Sequence, residues 1–155
     1  MRRRRGNMVL EMAALIPLFL LLIVGMVQFG TLTYRYFAVK KLIYAAGRQV
    51  AVQQGVNFCD VANDATAQAA ITVALNDANG APIVAELSSV NITAECADSS
   101  GALAPCTSCP DTNPQPGYLL VTLPEAFTFQ LRLPYLNPVD LTLQPSALVP
   151  FGGVS

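Results

Sequence analysis

Five residues in this chain have types and spacings that could do chemistry: Glu11, at the head of a charge-free apolar run, and the cysteines Cys59, Cys96, Cys106 and Cys109. Cys106-Thr-Ser-Cys109 could join Cys59 and Cys96 in a four-thiolate zinc site, or act alone as a redox pair. A second Cys-x-x-Cys is missing, and no thioredoxin-like strand and helix pattern follows the first. All four cysteines lie C-terminal to the apolar run, so they share one side of any membrane the run crosses. On an exported, oxidising side, two structural disulfides are the expected use of four thiols, with three connectivities open. The pairing favoured has one bond within the loop over residues 97–117 and a second joining Cys59 to it. No metal and no cofactor is expected.

The sequence contains no histidine, which removes the commonest general base and metal ligand. No Gly-x-Ser-x-Gly elbow, glycine-rich phosphate loop or metal-spaced carboxylate cluster stands in its place. An enzyme is not expected. Asn91-Ile-Thr93 has the form of a glycosylation sequon but sits in an alternating pattern and reads as strand. Of nine Lys and Arg residues in 155, only Arg132 lies beyond Arg48, so the C-terminal two thirds is acidic and no nucleic-acid surface is expected.

Those residues must be positioned by the elements around them, and the first is a membrane helix. Hydrophobic residues make up 53% of the chain and charged residues 12%, with the apolar excess concentrated in the N-terminal third. Met12 to about Tyr34 is long enough, at about 1.5 Å per residue, to cross a hydrocarbon core of about 30 Å. Arg2 to Arg5 before it place the N-terminus in the cytoplasm and the rest outside. The run is too long for a secretory signal, and no small-x-small cleavage pattern follows Phe29. Pro17 removes one backbone donor near the start, and Gly25 and Gly30 leave room for a second helix to approach. An unpaired carboxylate at the membrane edge costs about 2–4 kcal/mol, so Glu11 either has a partner or snorkels to the interface.

The helical period continues past the apolar run. Leu32, Tyr36, Val39, Ile43, Ala46 and Val50 form one seam, which packs either on a partner or on the chain's own domain. The helix is expected to run from about Met8 to Gln54, with Gly55 ending it. Asp60 is the expected cap of a second helix with Ala67, Ala70, Ile71, Ala74, Leu75 and Ala78 on one face, stopped by Gly80 and Pro82. The period then becomes two. Strands are expected at Val90–Cys96, Tyr118–Leu123, Phe127–Leu133 and Val139–Leu143, with Ala97–Gly117 as a loop and Phe151–Ser155 frayed. The fold class is α+β: a long N-terminal transmembrane helix continuing into an extracytoplasmic helix, and a small, mainly antiparallel sheet packed on helices. The divisions are a leader at 1–6, the long helix at 7–54 and an extracytoplasmic domain at 55–155.

Gly6 and Glu11 carry a further signal. A small residue at a candidate scissile bond, a basic flank before it and an apolar helix after it are what a peptidase at the cytoplasmic membrane face requires. This resembles the prepilin leader of type IV pilins and their relatives, in which cleavage follows the glycine and a glutamate stands fifth in the mature chain. On that pattern Asn7 is the first mature residue, where typical pilins have a methylated aromatic, and Glu11 is the fifth. The stretch from Arg5 to Gly30 is similar to the TadE-like proteins of tight-adherence pilus systems. Glu11, Pro17, Gly25, Phe29 and Gly30 fall where that family has its recurring Glu, Pro, Gly and aromatic-Gly pair. Ala45-Ala46-Gly47-Arg48 is similar to the family's small-residue-plus-Arg helix.

The resemblance covers about the first fifty residues. It implies a minor pilin or pseudopilin in a bacterial inner membrane, cut after Gly6 by a prepilin peptidase. The mature protein would assemble through its N-terminal helix with other pilins or pilus-assembly proteins, in a helix-mediated oligomer that can enter a surface pilus. Cell adhesion or a related secretion system is the implied setting. The alternative is an unprocessed single-pass scaffold of a pilus or secretion machine.

Overall fold

Between Glu11 and Arg35 no charge interrupts a sequence rich in Leu, Met, Ala and Ile, and these residues sustain one continuous helix. The computed structural model describes residues 3–85, 87–97, 102–106, 117–133 and 137–151, with side chains from Glu11 onward. Helix α1 spans Arg3–Ala51 and passes through Pro17 without interruption. It stops three residues short of the expected Gln54, because the ladder tightens there: the Gln53 N–H donates to the Val50 carbonyl, three residues back, at 3.2 Å. Gly55 then turns the chain with a φ of 82°. The other elements are α2 (Ala65–Leu75), β1 (Asn91–Ala97), β2 (Leu103–Pro105), β3 (Tyr118–Thr122), β4 (Phe127–Leu131), β5 (Val139–Leu143) and β6 (Ser146–Pro150). The α+β class expected from the two periods is what the chain adopts.

The chain forms two compact units. One comprises Met1–Arg35 with Thr128–Thr142, which is the N-terminal part of α1 and most of the β4–β5 ribbon. The other comprises Tyr36–Phe127 with Leu143–Ser155.

In the second unit the remaining strands form one antiparallel sheet in the order β2-β1-β3-β6. Register sets its inner face. Ile92 stands opposite Val121, which stands opposite Ala147; Ala94 stands opposite Leu119, which stands opposite Val149. All six are buried. The C-terminal part of α1 lies on this face with Val39, Ile43, Ala46 and Val50 buried, so this stretch of the seam packs on the chain's own domain. Each large aliphatic side chain so buried contributes about 1.5–3 kcal/mol. Gly47 permits the contact: a methyl group there would lie 2.6 Å from Val121 Cγ2 and 2.8 Å from Val149 Cγ2.

Helix α2 adds Ala67, Ala70, Ile71 and Leu75 to the core. Its cap is Asp64 and not the expected Asp60. Asp60 is occupied by the preceding turn, where its carboxylate accepts two bonds from Asn63 Nδ2 at 3.0 and 2.9 Å. Asp64 Oδ1 accepts the Ala67 N–H at 2.8 Å, and Oδ2 accepts the Asn57 N–H at 3.0 Å. The helix also ends before the expected Ala78. Asn76 Nδ2 donates to the Thr72 carbonyl, and Asp77 then organises a turn by accepting the Asn79 and Ala81 N–H groups. Gly80 completes it with a φ of 78°.

The strand expectations need several corrections. Part of the expected loop is strand β2, held by pairing of Cys96 with Ala104 and Ala97 with Leu103. Ser146–Pro150, with Ala147 and Val149 inward, is a further strand. Phe151 is packed and not frayed: its ring meets Phe58 edge-on at 5.0 Å, and its N–H donates to the Gly117 carbonyl. Glu95, which alternates with Ile92, Ala94 and Cys96 on the polar side of the expected strand, is nonetheless buried at 6% exposure. The strands also divide into the four-stranded sheet and the β4–β5 ribbon, where one sheet was expected.

Two outcomes follow. Gly47→Ala forces β-branched neighbours to shift, and thermal unfolding is expected to show a loss of about 1–3 kcal/mol; an unchanged Tm would mean that helix and sheet separate without cost. The backbone bonds to Asp64, that from Asn57 first, hold its carboxyl below the ordinary carboxylate value. Its stabilising contribution is therefore complete above that ordinary value and is lost as the pH falls through the lowered one. Asp64→Ala is expected to lower Tm at neutral pH and to flatten its decline in acid, as read by circular dichroism at a series of pH values.

Candidate functional site

A helix that is apolar on every face has no aqueous side, so its exposed surface must be covered by lipid or protein. The apolar window of α1 has a mean hydropathy of 2.4, and none of it is buried within the chain. A core helix of the same composition would be covered by its own fold. Phe19 at 66% exposure and Met26 at 73% show the extent of the belt. The length and composition of this helix suit a membrane anchor.

The residues expected to matter distribute along α1 in three groups. Gly6 and Asn7 lie in its first turns. Glu11 and Pro17 are exposed, and at Gly25 and Gly30 an added methyl group would meet nothing within 4 Å. Both glycines therefore leave open space against which another helix can close. Further along, Leu32 and Tyr36 are half-buried. Lys40 Nζ stands 6.0 Å from the centre of the Tyr36 ring, within cation–π range. Val39 and Ile43 are buried in the domain core. The seam read as continuous thus changes character between Tyr36 and Val39.

Gln28 is a residue that sequence reasoning passed over. It is the one side-chain amide between Met12 and Tyr34, which was the available signal. Its Nε2 donates to the Arg132 carbonyl, and its Oε1 accepts the Arg132 N–H at 2.9 Å. The amide therefore clasps the backbone just after β4 with both of its polar atoms. Arg132 in turn donates from Nη2 to Gln130 Oε1 at 2.8 Å and from Nε at 3.2 Å. Above the clasp an open cleft is lined by Arg35, Thr128, Phe129, Gln130 and Asp140.

The cysteines form the second candidate feature. Cys96 and Cys106 are joined by a disulfide with Cα atoms 5.1 Å apart. The bond crosses from β1 to the residue that follows β2, and the Cys106 N–H donates to the Ala94 carbonyl at 3.0 Å. Cys59 is also disulfide-bonded; Cys109 lies outside the described residues. Among the described residues no group of three or more His, Cys, Asp or Glu side chains comes together in a way that could hold a metal ion.

Residues 6–48 match the family model described as TadE-like protein. The matched segment runs from the glycine of the candidate leader to Arg48, next to the glycine that seats α1 on the sheet. No curated protein and no solved structure matches the chain.

The disulfide supports a direct test. Cys96 and Cys106 are 10 residues apart, and closing a loop of that size stabilises by about 2–3 kcal/mol through the unfolded chain. The double variant Cys96→Ser, Cys106→Ser is expected to lose about that much in denaturant unfolding. Peptide mapping of the native protein should recover Cys96 and Cys106 as a linked pair.

Proposed function

We propose, from the match of residues 6–48 to the TadE-like family model, that this is a pilin-like protein of a tight-adherence pilus system and, within it, a minor pilin or pseudopilin. A prepilin peptidase cuts it after Gly6, and it assembles through the N-terminal part of α1. The observation that carries this reading is the exposed apolar belt of α1, headed by Glu11 and preceded by the arginine-flanked glycine. Before assembly the protein waits in the bacterial inner membrane as a single-pass protein, with its N-terminus in the cytoplasm and its disulfide-bearing domain outside. The positive-inside rule supports that orientation.

Cleavage and assembly are linked by charge. Gly6 and Asn7 lie within helical turns, so a peptidase must open the end of α1, and a glycine there weakens the helix. Cutting the bond creates an ammonium group on Asn7, about 6 Å from Glu11 along the helix axis. In a low-dielectric setting that cation, from the same chain or a neighbour, offsets the cost of the Glu11 carboxylate. The pair then sets the axial register between helices. Pro17, Gly25 and Gly30 lie on the part of α1 left open for neighbours; Val39 and Ile43 do not.

The second reading is an unprocessed scaffold that anchors the machine and never enters a filament. Mass spectrometry of the N-terminus from purified membranes separates the two. Asn7 is expected as the first residue, and a chain beginning at Met1 would overturn processing. In the Glu11→Ala variant the same cut is expected, with less co-purification of other pilus proteins.

A further inference from the structure

The Gln28 clasp fixes where the β4–β5 ribbon lies along α1, and with it where the apolar belt ends. Arg35 lines the same cleft as Phe129 and Gln130, while Gln28 holds Arg132. Seven helical residues rise about 10 Å, and the three strand residues from Phe129 to Arg132 advance about 10 Å. β4 therefore descends along α1 towards its N-terminus. The ribbon end where β4 stops and β5 starts, marked by Arg132, Leu133 and Val139, is the end nearest the belt.

That placement discriminates between two membrane registers. A span from Met12 to Tyr34 would put Gln28 and the Arg132 guanidinium about 9 Å inside the hydrocarbon, where an arginine is strongly disfavoured. A span from Gly6 to Val27 has nearly the same length, about 33 Å, and leaves both at the outer headgroup level. It also draws Glu11 about 7 Å inside the cytoplasmic edge, where a paired N-terminus has most effect. Leu133, Asn137, Pro138 and Val139 carry no charge, and Val139 is 53% exposed. Apolar side chains beside an arginine suit the boundary between acyl chains and phosphates. A guanidinium has five N–H donors, so Arg132 can hold Gln130 and reach a phosphate oxygen together.

Resting on the membrane-anchor reading above, we propose that the β4–β5 ribbon sits on the outer surface of the bilayer. Its Arg132 and Val139 end enters the phospholipid headgroup layer, at a level set by the Gln28 clasp. The ribbon is thus a stop that keeps α1 from sliding further into the membrane.

The chain has no tryptophan, so single substitutions report depth cleanly. The full-length variants Phe19→Trp and Val139→Trp would be reconstituted in phosphatidylcholine and phosphatidylglycerol vesicles. The lipids would carry bromine either high or deep in the acyl chains. Phe19→Trp should be quenched by deep bromine and Val139→Trp by shallow bromine alone. Loss of quenching in Phe19→Trp would sink the membrane-anchor reading itself. Quenching of Phe19→Trp with none in Val139→Trp, or with deep quenching there, would overturn the ribbon proposal alone. Adding Gln28→Leu to Val139→Trp should abolish the shallow quenching; persistence would show that the clasp does not set the level.

Discussion

At Gly47 the backbone of α1 comes so close to β3 and β6 that a single methyl group would overlap two valines. The ordered domain depends on this approach. It lets Val39, Ile43, Ala46 and Val50 close over the face formed by Ile92, Ala94, Leu119, Val121, Ala147 and Val149. A larger residue would lift the helix and open the layer between, and cores tolerate such gaps poorly. The same helix that exposes an apolar belt at one end is therefore the structural centre of the domain at the other.

This division of α1 explains how one element serves two environments. Residues that face the sheet are fixed by the chain itself. Residues from Met12 to Val27 are left for lipid or for other helices. The TadE-like match, residues 6–48, covers both parts, so the matched segment carries the candidate processing glycine, the belt and the seat on the sheet together. The sheet beyond it is held by β-pairing and by the Cys96–Cys106 bond, which ties β1 to the end of the short edge strand β2. Such a tie suits a domain whose helical content comes mainly from one long element.

Much of this was legible in the residues. A charge-free run after four arginines gives the helix, and the change of period near Val90 gives the strands. Other features depend on pairing and competition that a single chain pattern does not display. Asp60 and Asp64 both precede the alanine-rich stretch; Asp64 caps it because Asn63 engages Asp60. β2 is three exposed residues in a Ser, Gly and Pro-rich stretch, and only its partner β1 makes it a strand. In the seam, period alone left own-domain and partner packing equivalent, and Gly47 was the unread signal. Gln28 was similar: an amide inside an apolar run has to be satisfied, but its partner lies 104 residues away.

The division of α1 can be tested most directly by photo-crosslinking in the cells that make the protein. A benzophenone amino acid would replace Phe19 in the exposed belt, or Phe58, which is buried against Phe151. Adducts to other protein chains are expected from position 19, and only intramolecular products from position 58. No adducts to other chains from position 19, or equal yields from both, would contradict assembly through the N-terminal part of the helix.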